Sequence, residues 1–191
     1  MWKHSCVLLV ATAALAQSPK YQVGRVATDA DFKERDISVL VDGRGLPAGS
    51  GTAAGGKDVY SRRCQKCHGN QGQGGEEGPA LVGGKGSLAT PKPVKTVGSY
   101  WPYATTLFDY TRRAMPFNRP GTLSNDEVYS STAYVLFLNG IVGENDAIDA
   151  KTLPQVKMPN RDGFVKDDRP DTSARGATKR APAPRPAKSG S

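Results

Sequence analysis

Cys64-Gln65-Lys66-Cys67-His68 decides how this chain is read. Two thiols three positions apart, followed at once by an imidazole, match the attachment motif for c-type haem: the thiols add to the two vinyl groups, and the adjacent His is placed to take the iron. The other readings of a CxxC pair fail against the rest of the chain. A structural zinc site needs four ligands, usually two Cys pairs or a Cys pair with a His pair, and the chain has three Cys and two His in all. A thioredoxin-like redox pair follows a strand in a βαβ setting, whereas Tyr60-Ser61-Arg62-Arg63 has no β-branched apolar run.

The first residues speak to compartment. Lys3 and His4 form a polar n-region, Cys6 to Ala16 an apolar run, and Ala14-Leu15-Ala16 a small-residue cleavage signal, so residues 1–16 read as a secretory signal peptide. The run is shorter than the roughly 20 residues that span a bilayer, so no membrane span is expected in the mature form. Cys6 falls in the removed segment. The mature chain then keeps Cys64 and Cys67 alone, with no spare thiol for a structural disulfide in an oxidising compartment.

The remaining length suits one domain with extensions. The formal charge is +8, of which the signal segment holds +1 and residues 171–191 hold +4, leaving +3 for the body of the chain. That C-terminal stretch is rich in Pro, Ala, Lys and Arg and cannot build a core, so it reads as a disordered basic tail. Its basic residues are not interleaved with aromatics, and no nucleic-acid partner is expected.

Three helices are expected around the motif. The first runs from Ala53 to about Lys66, with Gly56, Val59 and Tyr60 on its packing face, and delivers the two Cys and His68 at its C-terminal end. Gly69, Gly72, Gly74 and Gly75 then forbid regular structure. The second begins near Thr105 or Thr106 and ends at Ala114 before Pro116. The third starts at a capping box, Ser124-Asn125-Asp126-Glu127, shows Val128, Thr132, Val135 and Leu136 at helical spacing, and stops at Asn139-Gly140. It should cross the first helix, with Gly56 permitting close approach and Tyr60 meeting Tyr134. The fold class is all-α with irregular N- and C-terminal extensions: residues 17–52 are the N-terminal extension, 53–143 the haem domain, 144–170 a C-terminal wrap and 171–191 the tail.

His68 is the only His left once the signal is removed, so bis-His ligation within one chain is excluded. The two remaining Met are candidates for the sixth position, since a thioether paired with His gives a high-potential electron-transfer haem. Met115, held by Pro116 in a loop between helices, is favoured over Met158 in the polar stretch Lys157-Met158-Pro159-Asn160. Around the pocket, the Pro79 carbonyl is a candidate acceptor for the free ring nitrogen of His68. Trp101 and Tyr103, each a donor on an apolar ring, suit a propionate at the pocket edge, or plain core packing.

Taken together, CxxCH after a helix with Gly56 and Tyr60, a Gly78-Pro79-Ala80-Leu81 turn, the Met115-Pro116 loop and a final helix resemble the class I cytochromes c. The longer run Thr96-Val97-Gly98-Ser99-Tyr100-Trp101-Pro102-Tyr103, continuing through Arg113-Ala114-Met115-Pro116-Phe117-Asn118, is similar to the monohaem cytochrome subunits of sulfite dehydrogenases and to the cytochrome subunit of the Sox sulfane dehydrogenase. The likeness extends over about residues 21–170. It implies one covalent haem c with Met115 as axial ligand, a molybdenum-containing dehydrogenase subunit as electron donor, a downstream acceptor in the respiratory chain, and a redox subunit that is not itself a catalyst. Phe32 to Ser38 depart from the more aromatic and acidic stretch of that family, which leaves the donor open. Two other readings stand beside it: a cytochrome serving another periplasmic dehydrogenase, for alcohols or thiosulfate, and a haem enzyme or ligand sensor with a labile Met.

Overall fold

The structure is a computed structural model that describes residues 23–167. The expected signal peptide and basic tail lie outside the described residues. Two compact units divide the chain between Asp36 and Ile37.

In the first unit, α1 (Asp29–Arg35) is capped by Thr28, whose hydroxyl accepts the Asp31 amide while the Asp31 carboxylate accepts the Thr28 amide. Arg25 closes an ion pair on the same carboxylate. These bonds hold Asp31 well below the usual carboxylate range, the Arg25 bond first among them. The N-terminal extension, expected to be irregular, instead contains a helix, marked by the Thr28-x-x-Asp31 box rather than by any apolar period.

The second unit is mainly helical: α2 (Ala53–Arg63), α3 (Gln65–His68), α4 (Ala104–Ala114) and α5 (Asn125–Leu138). One two-stranded antiparallel sheet pairs β1 (Ser50–Gly51) with β2 (Ile148–Asp149), in register Ser50 with Asp149 and Gly51 with Ile148. It ties the chain entering α2 to the C-terminal wrap. Helix α5 begins at the expected capping box, with the Ser124 hydroxyl taking the Glu127 amide at 3.2 Å and Glu127 returning to the Ser124 amide at 2.9 Å.

Helices α2 and α5 cross where Gly56 lies. A Cβ on Gly56 would overlap the Ser130 carbonyl of α5, so only glycine allows this approach. One turn on, the Tyr60 and Tyr134 rings meet at 5.2 Å and 53°, a contact of about 0.5–1.5 kcal/mol beyond its buried area. Helix α4 adds Phe108 against Tyr129 at 4.4 Å. The core gathers around Tyr60, Phe108, Val128, Tyr129, Leu136 and Leu153, all fully buried.

The first haem-side helix is shorter than its expected end at Lys66. Cys64 leaves helical geometry at φ −123° and ψ −37°, its amide closing on the Tyr60 carbonyl at 2.8 Å. Its own carbonyl then starts a new turn, accepting the Cys67 and His68 amides at 3.2 and 3.0 Å. Gly69, at φ +79°, ends that turn in a conformation that suits glycine. Among the described residues, no helix is long and apolar enough to cross a membrane.

Candidate haem site

Helices α2 and α3 present Cys64, Cys67 and His68 within one turn and a half, and the Gly-rich loop that follows folds back over them. Gly74 donates its amide to the His68 carbonyl at 2.8 Å, and Leu81 and Val82 donate to Gly72 at 2.7 and 3.0 Å. Gly78 abuts Cys67 so closely that a Cβ there would sit 3.1 Å from both the Cys67 Cβ and carbonyl oxygen. The Tyr60 hydroxyl donates to the Gly69 carbonyl at 2.9 Å, anchoring the residue after His68 to α2. Its burial pushes its own ionisation up to about 12, so it remains a donor.

The Pro79 carbonyl oxygen lies 2.8 Å from His68 Nδ1. A carbonyl can only accept, so Nδ1 carries the proton, which in the neutral ring leaves Nε2 with the lone pair. Such a carbonyl partner is what orients a metal-bound imidazole and raises its basicity.

Neither Cys is in a disulfide. Cys64 packs against the core, and burial, with the neighbouring Cys67, pushes its thiol up to about 11. Cys67 is half-buried and donates to Glu77 Oε2 at 3.3 Å, which also raises its ionisation above the ordinary value. Lys66 reaches the other oxygen of Glu77 at 3.4 Å. Both thiols are thus protonated at neutral pH rather than standing thiolates. Two thiols outside any disulfide, an imidazole fixed through Nδ1, and no group of three or more His, Cys, Asp or Glu among the described residues that could hold a metal ion together fit haem c.

Met115 caps α4 in an extended conformation, its amide still bonded to the Thr111 carbonyl at 3.1 Å, and its side chain is half-buried. Met158 is 3% exposed and belongs to the core cluster. Trp101 is half-buried, packs on that cluster and meets Tyr110 edge-on at 5.9 Å. Tyr103 is the N-cap of α4, with the Arg161 guanidinium 4.4 Å above its ring. The structure brings His68 and Pro79 into contact; Cys64 and Trp101 share the core surface without a recorded bond between them.

Three residues escaped the reading of the sequence. Glu77 engages Cys67, and an acid ten residues from a thiol carries no spacing signal. Asn139, expected only to stop α5, donates to the Leu81 and Val135 carbonyls at 3.2 and 2.9 Å and accepts from the Gly83 amide at 3.4 Å. Gly98 faces that amide with no space for a side chain, so Asn139 pins the loop after Pro79 to α5. Arg161 is the third.

A helix-borne CxxCH with its imidazole held by a carbonyl is the arrangement of a c-type cytochrome. Residues 51–135 match the family model described as cytochrome c oxidase, cbb3-type, subunit III. A chain in the crystal structure of the sulfane dehydrogenase SoxCD from Paracoccus pantotrophus is 43% identical, with a TM-score of 0.72, the match covering 81% of this chain and 76% of that one. No curated protein matches. The chain belongs to the class I cytochromes c, related to those of the sulfite and sulfane dehydrogenases. It is a c-type cytochrome of electron transfer.

Proposed function

We propose that the chain is a periplasmic monohaem cytochrome c that accepts single electrons from a molybdenum-containing sulfite- or sulfane-oxidising subunit and passes them to a respiratory acceptor. The observation that carries this reading is the 43% identity to a chain of the sulfane dehydrogenase SoxCD, sustained over three quarters of that chain. Cys64 and Cys67 hold the haem by thioether bonds, and His68 and Met115 take the two axial positions. When bound, haem c supplies a one-electron Fe(III)/Fe(II) couple, its potential raised by thioether ligation. Pro79 keeps the imidazole oriented, and Trp101 and Tyr103 border the pocket. With both axial positions filled by the chain, the protein carries electrons rather than binding a substrate.

The docking face includes the loop after Met115. Phe117 there is 86% exposed. Arg113 is tied to Asp109 and Arg112 donates to the Ile37 carbonyl at 3.3 Å. Arg119 has no side-chain partner among the described residues and is free to steer an acidic partner, an attraction that weakens with salt. The test is stopped-flow haem reduction with the cognate catalytic subunit and sulfite, thiosulfate or an alcohol in turn. Reduction with sulfite is expected; reduction with thiosulfate alone assigns the cytochrome to the thiosulfate alternative instead. Reduction with the alcohol alone overturns the sulfur reading and leaves the cytochrome standing.

A further inference from the structure

We propose that Asp109 is a positioning residue for the distal iron ligand: by holding residues 37–41 along α4 it fixes where that helix ends, and so where Met115 presents its sulfur. The assignment rests on the haem reading above, with Met115 on the iron, and deepens it by naming what keeps that ligand in place.

Asp109 is 7% exposed on α4, at a site where an apolar side chain would pack without the cost of burying a charge. Both of its oxygens are used. One accepts the Val39 amide at 2.9 Å in a buried bond across 70 positions of chain, and the other takes the Arg113 guanidinium.

Two further bonds repeat the pattern. The Thr105 hydroxyl donates to the Val41 carbonyl and the Arg112 guanidinium to the Ile37 carbonyl, each at 3.3 Å. Thr105, Asp109 and Arg112 fall at i, i+4 and i+7 and so share one face of α4, while their partners descend through alternate residues, Val41, Val39 and Ile37. Two residues of extended chain rise about 6.6 Å, and four of helix about 6 Å. The strap therefore runs antiparallel to the helix and in step with it.

The strap is itself braced. The Leu40 amide donates to the Arg44 carbonyl and the Gly43 amide to the Leu40 carbonyl, both at 2.9 Å. Gly45, at φ +88°, lies so close to the Ser38 carbonyl that a Cβ would overlap it. Helix α4, by contrast, starts at Tyr103 without a side-chain cap, and Met115 at its other end is held by its amide to Thr111. The last strap bond, at Arg112, lies three residues before Met115. Releasing the strap thus loosens the turn that carries the sulfur, while Leu107 and Phe108 keep their places in the core.

The experiment titrates the ferric holoprotein with imidazole, which displaces a loosely held thioether, and follows the Met-to-iron charge-transfer band. In Asp109→Ala imidazole should bind about tenfold more tightly, equivalent to about 1.4 kcal/mol. Asp109→Asn, which keeps an oxygen for the Val39 amide, should return most of the wild-type resistance. Arg112→Gln, which removes only the tie to Ile37, should move binding in the same direction by less, and it decides the matter if Asp109→Ala does not mature. Gly56→Ala, a lesion at the crossing of α2 and α5, should leave imidazole binding unchanged. Wild-type affinity in Asp109→Ala and Arg112→Gln, or an equal rise in Gly56→Ala, overturns this assignment while the haem reading stands. A wild-type holoprotein without the Met-to-iron band overturns it together with the choice of Met115 beneath it.

Discussion

Residues 64–79 and residues 115–123 each carry one proposed iron ligand, but they are held in different ways. In the first stretch the ring nitrogen of His68, its carbonyl and the residue after it are bonded to Pro79, Gly74 and Tyr60 respectively. In the second, Met115 is anchored by one amide to Thr111, and beyond it Phe117 to Gly121 are exposed, closed by Arg119 onto Pro116 and Thr122 onto Arg119 at 2.8 Å each. The imidazole is therefore set by the protein itself, while the proposed thioether ligand is placed only by where α4 ends. Damage near His68 should register as lost stability or maturation. Damage at Met115 should register in ligation and potential with little cost to the fold.

The two methionines give the sharpest contrast. Met158→Ala removes a core side chain and should cost about 2–5 kcal/mol in denaturant unfolding, leaving the Met-to-iron charge-transfer band in place. Met115→Ala should abolish that band and lower the potential while the unfolding midpoint moves little. A reversed pattern would exchange the two assignments. Gly56→Ala comes next: with the Ser130 carbonyl in the way, about 1–3 kcal/mol should be lost as α2 and α5 separate. Wild-type stability in this variant would mean that the crossing yields easily. The smallest effect is that of Tyr60→Phe, which deletes the bond to Gly69 and should cost about 0.5–1.5 kcal/mol in the same assay. No change there would remove Tyr60 from the supports of His68.

The legible parts of this molecule are those specified over short spans. CxxCH is a five-residue pattern, the α5 start is a capping box, and the crossing followed from Gly56 and Tyr60 lying one turn apart on one helix. Helix α1 was missed because Asp29–Arg35 has no apolar period, although its capping box was present. The break at Cys64 was missed because nothing in Arg63-Cys64-Gln65 forbids helix; the tertiary setting decides it. Two-residue strands such as β1 and β2 lie below any periodicity signal. Asn139 shows the wider limit: its partner Leu81 is 58 positions away, and as a C-cap residue it already had a sufficient local explanation. Arg161 and Tyr103 are equally remote in sequence, so their stacking carries no spacing signal.

The most direct test of the haem c reading is acid–acetone extraction of protein matured in a host competent for cytochrome c assembly, followed by the pyridine haemochrome spectrum of the residue. Haem that stays with the polypeptide, with the spectrum of a haem that has lost both vinyls, and that is lost in the Cys64→Ser, Cys67→Ser double variant, is the expected result. Haem that leaves with the solvent would contradict thioether attachment at Cys64 and Cys67.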